Sequence, residues 1–408
     1  MKKVINVDKT KKYLLACSFG PDSMALFKIL LDNGISFEVA HVNYHKRKES
    51  DGEEKAIKEY CAKHNILCHV LDANKYVVKG NFQAWARDLR YDFFKQCCDR
   101  HSLEAVFVAH HQDDLIESYL IQKQRNAYVN YYGISAQGFN KGIKILRPLL
   151  DLTKRELQQF DDENKIPYSI DVSNLTDHYT RNKIRHSIIE KLSQKEREEY
   201  LKKIEDDNKH LNRIKLEALD LIEKDDCILV SRAKNIKSEV FAYALFELMK
   251  AENVVLPISF NQIEQFRKNF ESKKANISVK LNNDFCYVQE YGEIKIIDKN
   301  INYKLILEKP CKVENKFLKI DFSKGAEDRN VFLESYPIVI EPASKTDKYR
   351  INNYEVNVSR LFLDWKMPMH LRSIWPVIKD SKGNIIYIPR YRKEFKDNHK
   401  SIMRISLK

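Results

Sequence analysis

The chain has 408 residues, of which 43% are hydrophobic and 32% are charged. This length predicts two or three domains with real hydrophobic cores, and no apolar run approaches the roughly 18 residues of a membrane span, so no membrane association is expected. The net charge of +13 indicates a polyanionic partner, nucleic acid before membrane, although a lysine-rich genome is an alternative explanation.

The eight cysteines form no Cys-x-x-Cys and no Cys/His metal spacing. They lie inside apolar segments, where a free thiol packs as a small hydrophobe. We therefore expect a reducing cytoplasm, no structural zinc and no iron–sulfur cluster. The N-terminus also lacks the long apolar region of a secretion signal.

Strand and helix patterns alternate through the first 170 residues. Strands are predicted at residues 13–16, 37–42, 67–71, 105–109 and 143–146, and helices at 24–31, 50–64, 83–98, 113–123 and 153–164. Ser50 with Glu53 and Thr153 with Glu156 have the spacing of capping boxes, and Gly34 can close the first helix. This alternation predicts an α/β fold with a doubly wound parallel sheet, whose sites lie beyond the carboxyl ends of its strands.

The second half of the chain differs in composition and in its predicted elements. Residues 194–224 are charged and helical with one apolar stripe, helices follow at 241–250 and 261–270, and short strands follow at 277–279, 285–288 and 294–297. Residues 308–408 are mainly β and rich in Lys and Arg. We predict three domains: a catalytic domain at 1–193, a helical or α+β middle domain at 194–307, and a mainly β C-terminal domain at 308–408.

The most informative motif is the segment Cys-Ser-Phe-Gly-Pro-Asp-Ser-Met at residues 17–24. A strand, a tight turn of small residues and a helix start present backbone N–H groups to a phosphate. Gly20 allows close approach of the backbone, and Pro21 suits a first helical turn. There is no Gly-Lys-Ser/Thr, so this is not a Walker loop. A turn that binds no ligand is the alternative reading.

A second motif, residues 109–118, places two histidines and three carboxylates directly after a strand. Asp113 and Glu117 are four apart and share one helical face. The pattern favours positioning of Mg²⁺–ATP and capture of a cationic substrate, while ordinary helix capping is the alternative.

Two arginine pairs complete the set. Arg87 and Arg90 lie three apart on one predicted helix, and Arg181 and Arg185 lie one turn apart on another. Guanidinium groups on a fixed helix suit phosphates of ATP or RNA. Surface salt bridges and a solvated helix start are the respective alternatives.

Together these motifs resemble the tRNA(Ile)-lysidine synthetase family of PP-loop ATP pyrophosphatases. The similarity rests on residues 18–23, 40–43, 86–94, 109–118, 147–149 and 171–186, and extends to about residue 190; a weaker match lies at 366–386. It implies an adenine nucleotide alpha hydrolase-like domain and a ligase that uses ATP and Mg²⁺. The implied reaction adenylates C2–O of the wobble cytidine in a CAU-anticodon tRNA(Ile), and free L-lysine then displaces AMP to give lysidine.

The resemblance also implies residue roles. The implied nucleotide-binding residues are Ser18, Phe19, Gly20, Pro21, Asp22, Ser23, His41, Asn43 and His110. The implied catalytic residues are Asp22, Arg87, Arg90, Asp113, Asp114, Glu117, Arg181 and Arg185. No residue is assigned as a dedicated protein metal ligand, although Asp22 is expected to help hold Mg²⁺ or lysine. Oligomeric state is left open, with a homodimer as one option.

This sequence departs from the family pattern at Phe19, where a glycine is usual; if that position requires a positive φ, the phenylalanine is strained. Residues 44–46 and Leu115 also differ from the family pattern. Two alternative functions remain: a PP-loop enzyme of the thiolase type, which would be expected to carry catalytic cysteines, and a non-catalytic tRNA-binding protein.

Overall fold

The computed structural model describes residues 3–46, 49–126, 128–169, 180–224, 226–252, 254, 258–272, 274, 276–314, 318–321, 333–351, 353–391 and 404–407. The side chains of residues 180–183, 318, 320, 321, 333 and 404–407 lie outside this description. The chain forms two compact units, Met1–Leu211 and Asn212–Lys408. The predicted division into three domains stays a prediction. No helix in the described ranges combines the length and the apolar character that crossing a bilayer requires.

The first unit alternates strands and helices. Its strands are β1 Lys12–Ala16, β2 Ser36–Asn43, β3 Cys68–Asp72, β4 Val106–Phe107, β5 Gln137–Asn140 and β6 Ile143–Leu146. Its helices are α1 Pro21–Asp32, α2 Ser50–Lys63, α3 Phe82–His101, α4 Gln112–Arg125, α5 Lys154–Glu163, α6 Thr180–Ser187 and the start of α7 Gln194–Asp220. Every strand and helix predicted in this region is present, with ends shifted by a few residues.

The central sheet has the order β3-β2-β1-β4-β6-β5. All neighbours pair in parallel except β5, an antiparallel edge strand that the sequence did not predict. The chain reverses direction of winding between β1 and β4, which creates a crevice at the carboxyl ends of these two strands. The two strongest motifs directly follow these strands, so the topology brings them to one edge.

Apolar cores cover the sheet on both faces. One core contains Phe27 of α1 and Leu157 of α5, and the other contains Phe94 and Cys97 of α3. Cys97 and Cys98 lie inside this helix as predicted, and both thiols are buried. Burial on both faces explains why the strands read as continuous apolar runs.

One capping prediction is confirmed and one is wrong. The Thr153 side chain accepts from the backbone of Glu156, whose carboxylate in turn accepts from the backbone of Thr153. Ser50, in contrast, is the first residue of α2 and follows the cap residue Glu49, which makes no side-chain cap. The Glu53 carboxylate accepts instead from Ser169 Oγ at 2.7 Å, because a distant segment competes for it.

The second unit contains the end of α7 and smaller sheets. Its strands are β7 Ile222–Glu223, β8 Cys227–Leu229, β9 Asn276–Lys280, β10 Phe285–Glu290, β11 Glu293–Asp298, β12 Leu305–Leu307, β13 Val313–Glu314, β14 Leu318–Asp321, β15 Ile338–Pro342, β16 Lys348–Ile351, β17 Tyr354–Asn357, β18 Pro376–Lys379, β19 Ile385–Tyr387 and β20 Arg404–Leu407. Its remaining helices are α8 Val230–Ala233, α9 Ser238–Ala251, α10 Phe260–Lys268, α11 Val358–Asp364 and α12 Met369–Arg372. The helical start and the β-rich remainder agree with the sequence prediction.

Candidate active site

The loop between β1 and α1 is held by its own hydroxyl groups. Ser23 Oγ donates to the carbonyl of Gly20 at 2.9 Å, and the Ser18 and Ser23 hydroxyls lie 3.5 Å apart. Pro21 occupies the first helical turn of α1, as predicted. Because the first turn of a helix has backbone N–H groups without intrahelical partners, this loop offers donors to an anion.

Phe19, not Gly20, has the left-handed backbone conformation in this loop. Its φ is 64°, whereas the φ of Gly20 is −79°. The expected strain at Phe19 is therefore present, since a bulky residue rarely adopts a positive φ. Two contacts hold it: the ring is buried in the core of the sheet, and the Phe19 carbonyl accepts from the backbone N–H of Ser169 at 2.9 Å. The loop between β1 and α1 therefore forms with phenylalanine at the position where the family usually has glycine.

Asp22 presents a carboxylate that is poorly satisfied. Its Oδ1 is buried and has no hydrogen-bond partner among the described residues, and its Oδ2 lies 3.7 Å from His111 Nε2. Burial raises the pKa of Asp22 above its ordinary value, and the nearby charge of Asp114 adds to the rise. A buried oxygen without a partner is costly, so this carboxylate is suited to receive a cation.

Asp114 and Glu117 of α4 share one arginine. Arg185 Nη2 lies 3.0 Å from Asp114 Oδ1 and 3.0 Å from Glu117 Oε2. Burial alone would raise the pKa of Asp114, but the charges of the nearby histidines and of Arg185 outweigh it and leave the pKa below its ordinary value. Asp114 is therefore an ionised acceptor, and α4 lies against α6, the helix that carries Arg185.

Asp113 faces different partners from Asp114. It forms an ion pair with Arg197 Nη1 of α7, and its Oδ2 accepts from the backbone N–H of Lys154 at 3.3 Å. The shared face predicted for Asp113 and Glu117 does not give them shared partners, because α7 supplies an arginine 84 residues further along the chain. Asp113 joins α4, α5 and α7, which is the contact pattern of a structural residue.

The two histidines after β4 have different environments. His110 Nδ1 accepts from Arg147 Nε at 3.0 Å, and Arg147 also donates to the carbonyl of Ser135. Since arginine only donates, Nδ1 of His110 is the acceptor and Nε2 carries the ring proton. His111 is 2% exposed, and its Nε2 lies between Asp22 Oδ2 and Asp114 Oδ2, the latter at 3.4 Å.

His41 and Asn43 lie at the end of β2, as the sequence predicted. His41 Nδ1 donates to the carbonyl of Cys17 at 2.9 Å, and burial lowers the pKa of this imidazole. Asn43 Nδ2 donates to Asp51 and Glu54, and Asn43 Oδ1 accepts from the backbone of His45. Asn43 therefore organises the loop after β2, while His41 supports the loop after β1.

Arg87 and Arg90 are exposed on the first turns of α3, with no carboxylate partner in the part of the chain that the structure describes. Arg90 Nε donates to the hydroxyl of Tyr44 at 3.4 Å, and the Arg87 guanidinium lies 5.0 Å from the centre of the Tyr91 ring. Their cationic charge is therefore available to an anion. Arg181, the fourth predicted arginine, has a side chain outside the described residues.

One cavity of about 690 Å³ collects most of these groups. Of the predicted residues, it is lined by Ser18, Gly20, Asp22, Ser23, His41, Asn43, Arg87, Arg90, His110 and Asp114. Among the described residues, Phe19, Pro21, Asp113, Glu117 and Arg185 are outside this lining. The cavity has carboxylates at the α1 and α4 side and cations from α3 and Lys46, so it suits a ligand set that carries both phosphate and ammonium groups.

The sequence reasoning missed several residues at this site. His111 was noted but given no role, and Arg147 and Arg197 were not singled out as site residues. The cavity lining also includes the aromatic residues Tyr44 and Phe82. The Phe82 ring centre lies 5.9 Å from that of Tyr44, 5.5 Å from that of Trp85 and 3.1 Å from Lys46 Nζ. The change from the family pattern at residues 44–46 was the available signal.

This arrangement defines a nucleotide-binding domain of the PP-loop class, and residues 1–192 match the family model described as a PP-loop domain. Proteins named tRNA(Ile)-lysidine synthase are similar over nearly the whole chain. The relative from Mycoplasma mycoides is 31% identical over 94% of this chain and 98% of its own, and that from Mesoplasma florum is 30% identical over 92% and 96%. The relative from Mycoplasmopsis pulmonis is 33% identical over 70% of this chain and 99% of its own. The chain belongs to the tRNA(Ile)-lysidine synthase family.

Proposed function

We propose that this protein ligates lysine to C2 of the wobble cytidine in a CAU-anticodon tRNA(Ile), using ATP and releasing AMP and diphosphate. The observation that carries the proposal is the cavity in which the PP-loop, two exposed arginines and carboxylates meet in a chain of this family. The lining has hydroxyls and arginines for a triphosphate, carboxylates for a cationic amino acid and aromatic rings for a nucleobase.

In this proposal the ATP phosphates bind at the loop after β1. The hydroxyls of Ser18 and Ser23 and the backbone N–H groups that begin α1 donate to phosphate oxygens. Arg87 and Arg90 approach from α3 and stabilise the charge that develops on the departing diphosphate. His41 keeps the loop in place through the Cys17 carbonyl.

The residues at the cavity also fit a Mg²⁺ ion. Asp22 Oδ1 is a buried oxygen with no partner among the described residues, and the charge of Asp114 acts on the Asp22 carboxylate. Carboxylate oxygens of this kind, together with phosphate oxygens, are typical magnesium ligands. When bound, the ion would neutralise phosphate charge; Asp22 and Asp114 would be the residues that hold it.

Lysine is proposed to bind at the carboxylates of Asp22, Asp114 and Glu117. Arg185 now occupies the position between Asp114 and Glu117, so we expect it to turn toward phosphate when an ammonium group takes its place. One carboxylate of this group is proposed to accept the proton that the lysine amine loses.

The proposed chemistry has two balanced steps. First, the C2 oxygen of the cytidine attacks the α-phosphorus of ATP, the bond from that phosphorus to the bridging oxygen breaks, and diphosphate leaves. Second, the lone pair of the lysine Nε attacks C2, the bond between C2 and the adenylated oxygen breaks, and AMP leaves. Before this attack the lysine ammonium gives one proton to a carboxylate of the cluster, which frees the lone pair of Nε. His110, protonated at Nε2, is placed to donate to an oxygen at the cavity.

Recognition of the tRNA is proposed to use both halves of the chain. The rings of Tyr44 and Phe82 in the cavity lining, with that of Trp85 beside them, offer a stacking surface to a base that has left its stack, and Lys46 lies against one of them. The Lys- and Arg-rich second half would contact tRNA phosphates, which makes binding sensitive to salt. The protein is expected to work in the cytoplasm.

The direct test is AMP release by purified protein with ATP, lysine and a bulk tRNA pool. Release that requires both lysine and tRNA supports the proposal, whereas tRNA binding without release favours a non-catalytic protein. Release that needs a sulfur donor instead of lysine favours a thiolase. The adjacent pair Cys97 and Cys98 does not favour a thiolase, since burial raises the pKa of Cys97 to about 12 and of Cys98 to about 11.

A further inference from the structure

A second cluster of chemically active side chains lies at the opposite end of the sheet from the cavity. Glu38 is near the start of β2, His69 is near the start of β3, and His101 is the last residue of α3. One ligand-type atom from each lies within 4.8 Å of the other two. Three separate segments therefore converge on one point that the proposed reaction does not use.

The two imidazoles share one carboxylate oxygen. His69 Nε2 lies 2.6 Å from Glu38 Oε2, and His101 Nδ1 lies 3.4 Å from the same oxygen. The two rings are adjacent, with 4.5 Å between their centres. The other oxygen, Oε1, pairs with Lys12 Nζ at 2.7 Å, so only Oε2 faces the histidines.

The carboxylate at the centre is buried and ionised. Glu38 is 2% exposed, while His69 and His101 are partly exposed. Burial raises the pKa of Glu38, but hydrogen bonds from Lys12 and His69 outweigh this and leave it below the ordinary value. Two simpler explanations do not account for the whole cluster. A salt bridge between Glu38 and Lys12 would need neither histidine. The preference of a helix C-terminus for a basic residue would explain His101 but not Glu38 or His69.

We propose that Glu38, His69 and His101 form a binding site for a divalent transition metal of the zinc class, with water as the remaining ligand. In a tetrahedral site with bonds of about 2.1 Å, neighbouring ligand atoms are about 3.4 Å apart. The His101–Glu38 separation already has this value. The His69–Glu38 pair must open by somewhat less than an ångström, and the metal replaces the proton that now joins them.

The donor set separates this site from the magnesium site of the proposed reaction. Imidazole nitrogens favour Zn²⁺, Co²⁺ and Ni²⁺ over Mg²⁺, which prefers oxygen ligands. Bound metal would fasten the end of α3 to β2 and β3. The same helix carries Arg87 and Arg90 nearer its other end. The metal would therefore hold in place the helix that presents these arginines, without contacting substrate.

Titration of tag-free protein with Co²⁺ tests the site independently of catalysis, because a tetrahedral Co²⁺ complex has a strong visible absorption. H69N and H101N each remove one ligand. H210N, an exposed histidine on α7, is the matched control, and D114N tests for metal binding at the cavity instead. The melting temperature with and without Zn²⁺ gives a second readout.

We expect one equivalent of Co²⁺ in the wild type, H210N and D114N, and affinity more than about tenfold weaker in H69N and H101N. Zn²⁺ should raise the melting temperature of the first three proteins and not of the last two. Absence of a stoichiometric complex in the wild type, or a complex unchanged in both H69N and H101N, would overturn the proposal. Because His101 is partly exposed at a helix end, H101N remains informative if H69N does not fold.

Discussion

Arg185 Nη2 lies 3.0 Å from Asp114 Oδ1 and so joins α6 to the carboxylates that follow β4. The same nitrogen is equally close to Glu117, whose side chain is 1% exposed. An arginine between a buried carboxylate and a partly buried one neutralises charge that is otherwise costly in the interior. In the proposed reaction it is also the group that a cationic substrate must displace.

We predict that R185A abolishes lysine-dependent AMP release and leaves tRNA binding within a few-fold of the wild type. The variant removes the phosphate clamp and leaves two carboxylates without their cation. R155A, an exposed arginine on α5, is the control and should retain activity. AMP release in R185A at the rate of R155A would remove Arg185 from the site.

D22A is expected to have the same phenotype for a different reason. This substitution deletes the buried oxygen that is suited to receive a cation. We expect loss of AMP release with tRNA binding retained, measured by filter binding beside the turnover assay. Unchanged turnover in D22A contradicts the assignment.

R87A and R90A test the phosphate role of α3. Each removes a charge-assisted hydrogen bond worth about 1.5–3 kcal/mol, so kcat/KM for ATP should fall by roughly ten- to a hundredfold. R100A, an exposed arginine near the other end of the same helix, is the control. Equal ATP kinetics in all three variants would show that the exposed guanidinium groups do not meet the nucleotide.

Phe19 allows the backbone strain to be measured. Both F19G and F19A remove the buried ring and should lower the free energy of unfolding by several kcal/mol. Alanine retains the strain of a φ of 64°, whereas glycine does not. F19G should therefore be more stable than F19A by up to about 1 kcal/mol in denaturant unfolding. The opposite order would mean that the loop is not strained at this residue.

Asp161 of α5 predicts a pH dependence of stability. The residue is fully buried, both carboxylate oxygens lack a hydrogen-bond partner in the described part of the chain, and burial and the charge of Asp22 raise its pKa to about 8. A pKa raised in the folded state gives stability that is complete below the unfolded pKa of 3.8 and is lost as the pH rises through 8.

D161N keeps the shape of the protonated acid and cannot ionise. Its melting temperature should exceed that of the wild type at about pH 8.5, and the difference should shrink toward about pH 5.5. E163Q, an exposed change on the same helix, should show no such trend. A difference between D161N and wild type that does not vary with pH would contradict the raised pKa.

Local sequence patterns predicted the strands and helices of the first unit well, because the apolar residues of each element follow the spacing typical of its secondary structure. Strands at residues 13–16 and 143–146 and the capping box at Thr153 follow from sequence alone. The edge strand Gln137–Asn140 has only part of its surface buried and includes a glycine, so it carries no clear alternating pattern.

Side-chain partners from distant segments were not predictable. Asp113 and Asp114 are neighbours on one helix, yet Arg197 pairs with the first and Arg185 with the second. Ser169 Oγ donates to the Glu53 carboxylate, which therefore does not form the expected capping box. His111, rather than His110, lies between Asp22 and Asp114, since His111 is the N-cap residue of α4 whereas His110 accepts from Arg147.

The most direct measurement uses isotopically labelled lysine. The protein is incubated with ATP, labelled lysine and a tRNA pool, and the tRNA is then digested to nucleosides for mass spectrometry. We predict one labelled cytidine derivative, located at the wobble position of a CAU-anticodon tRNA and absent without ATP. AMP release without transfer of label to tRNA, or label on a different nucleoside, would contradict it.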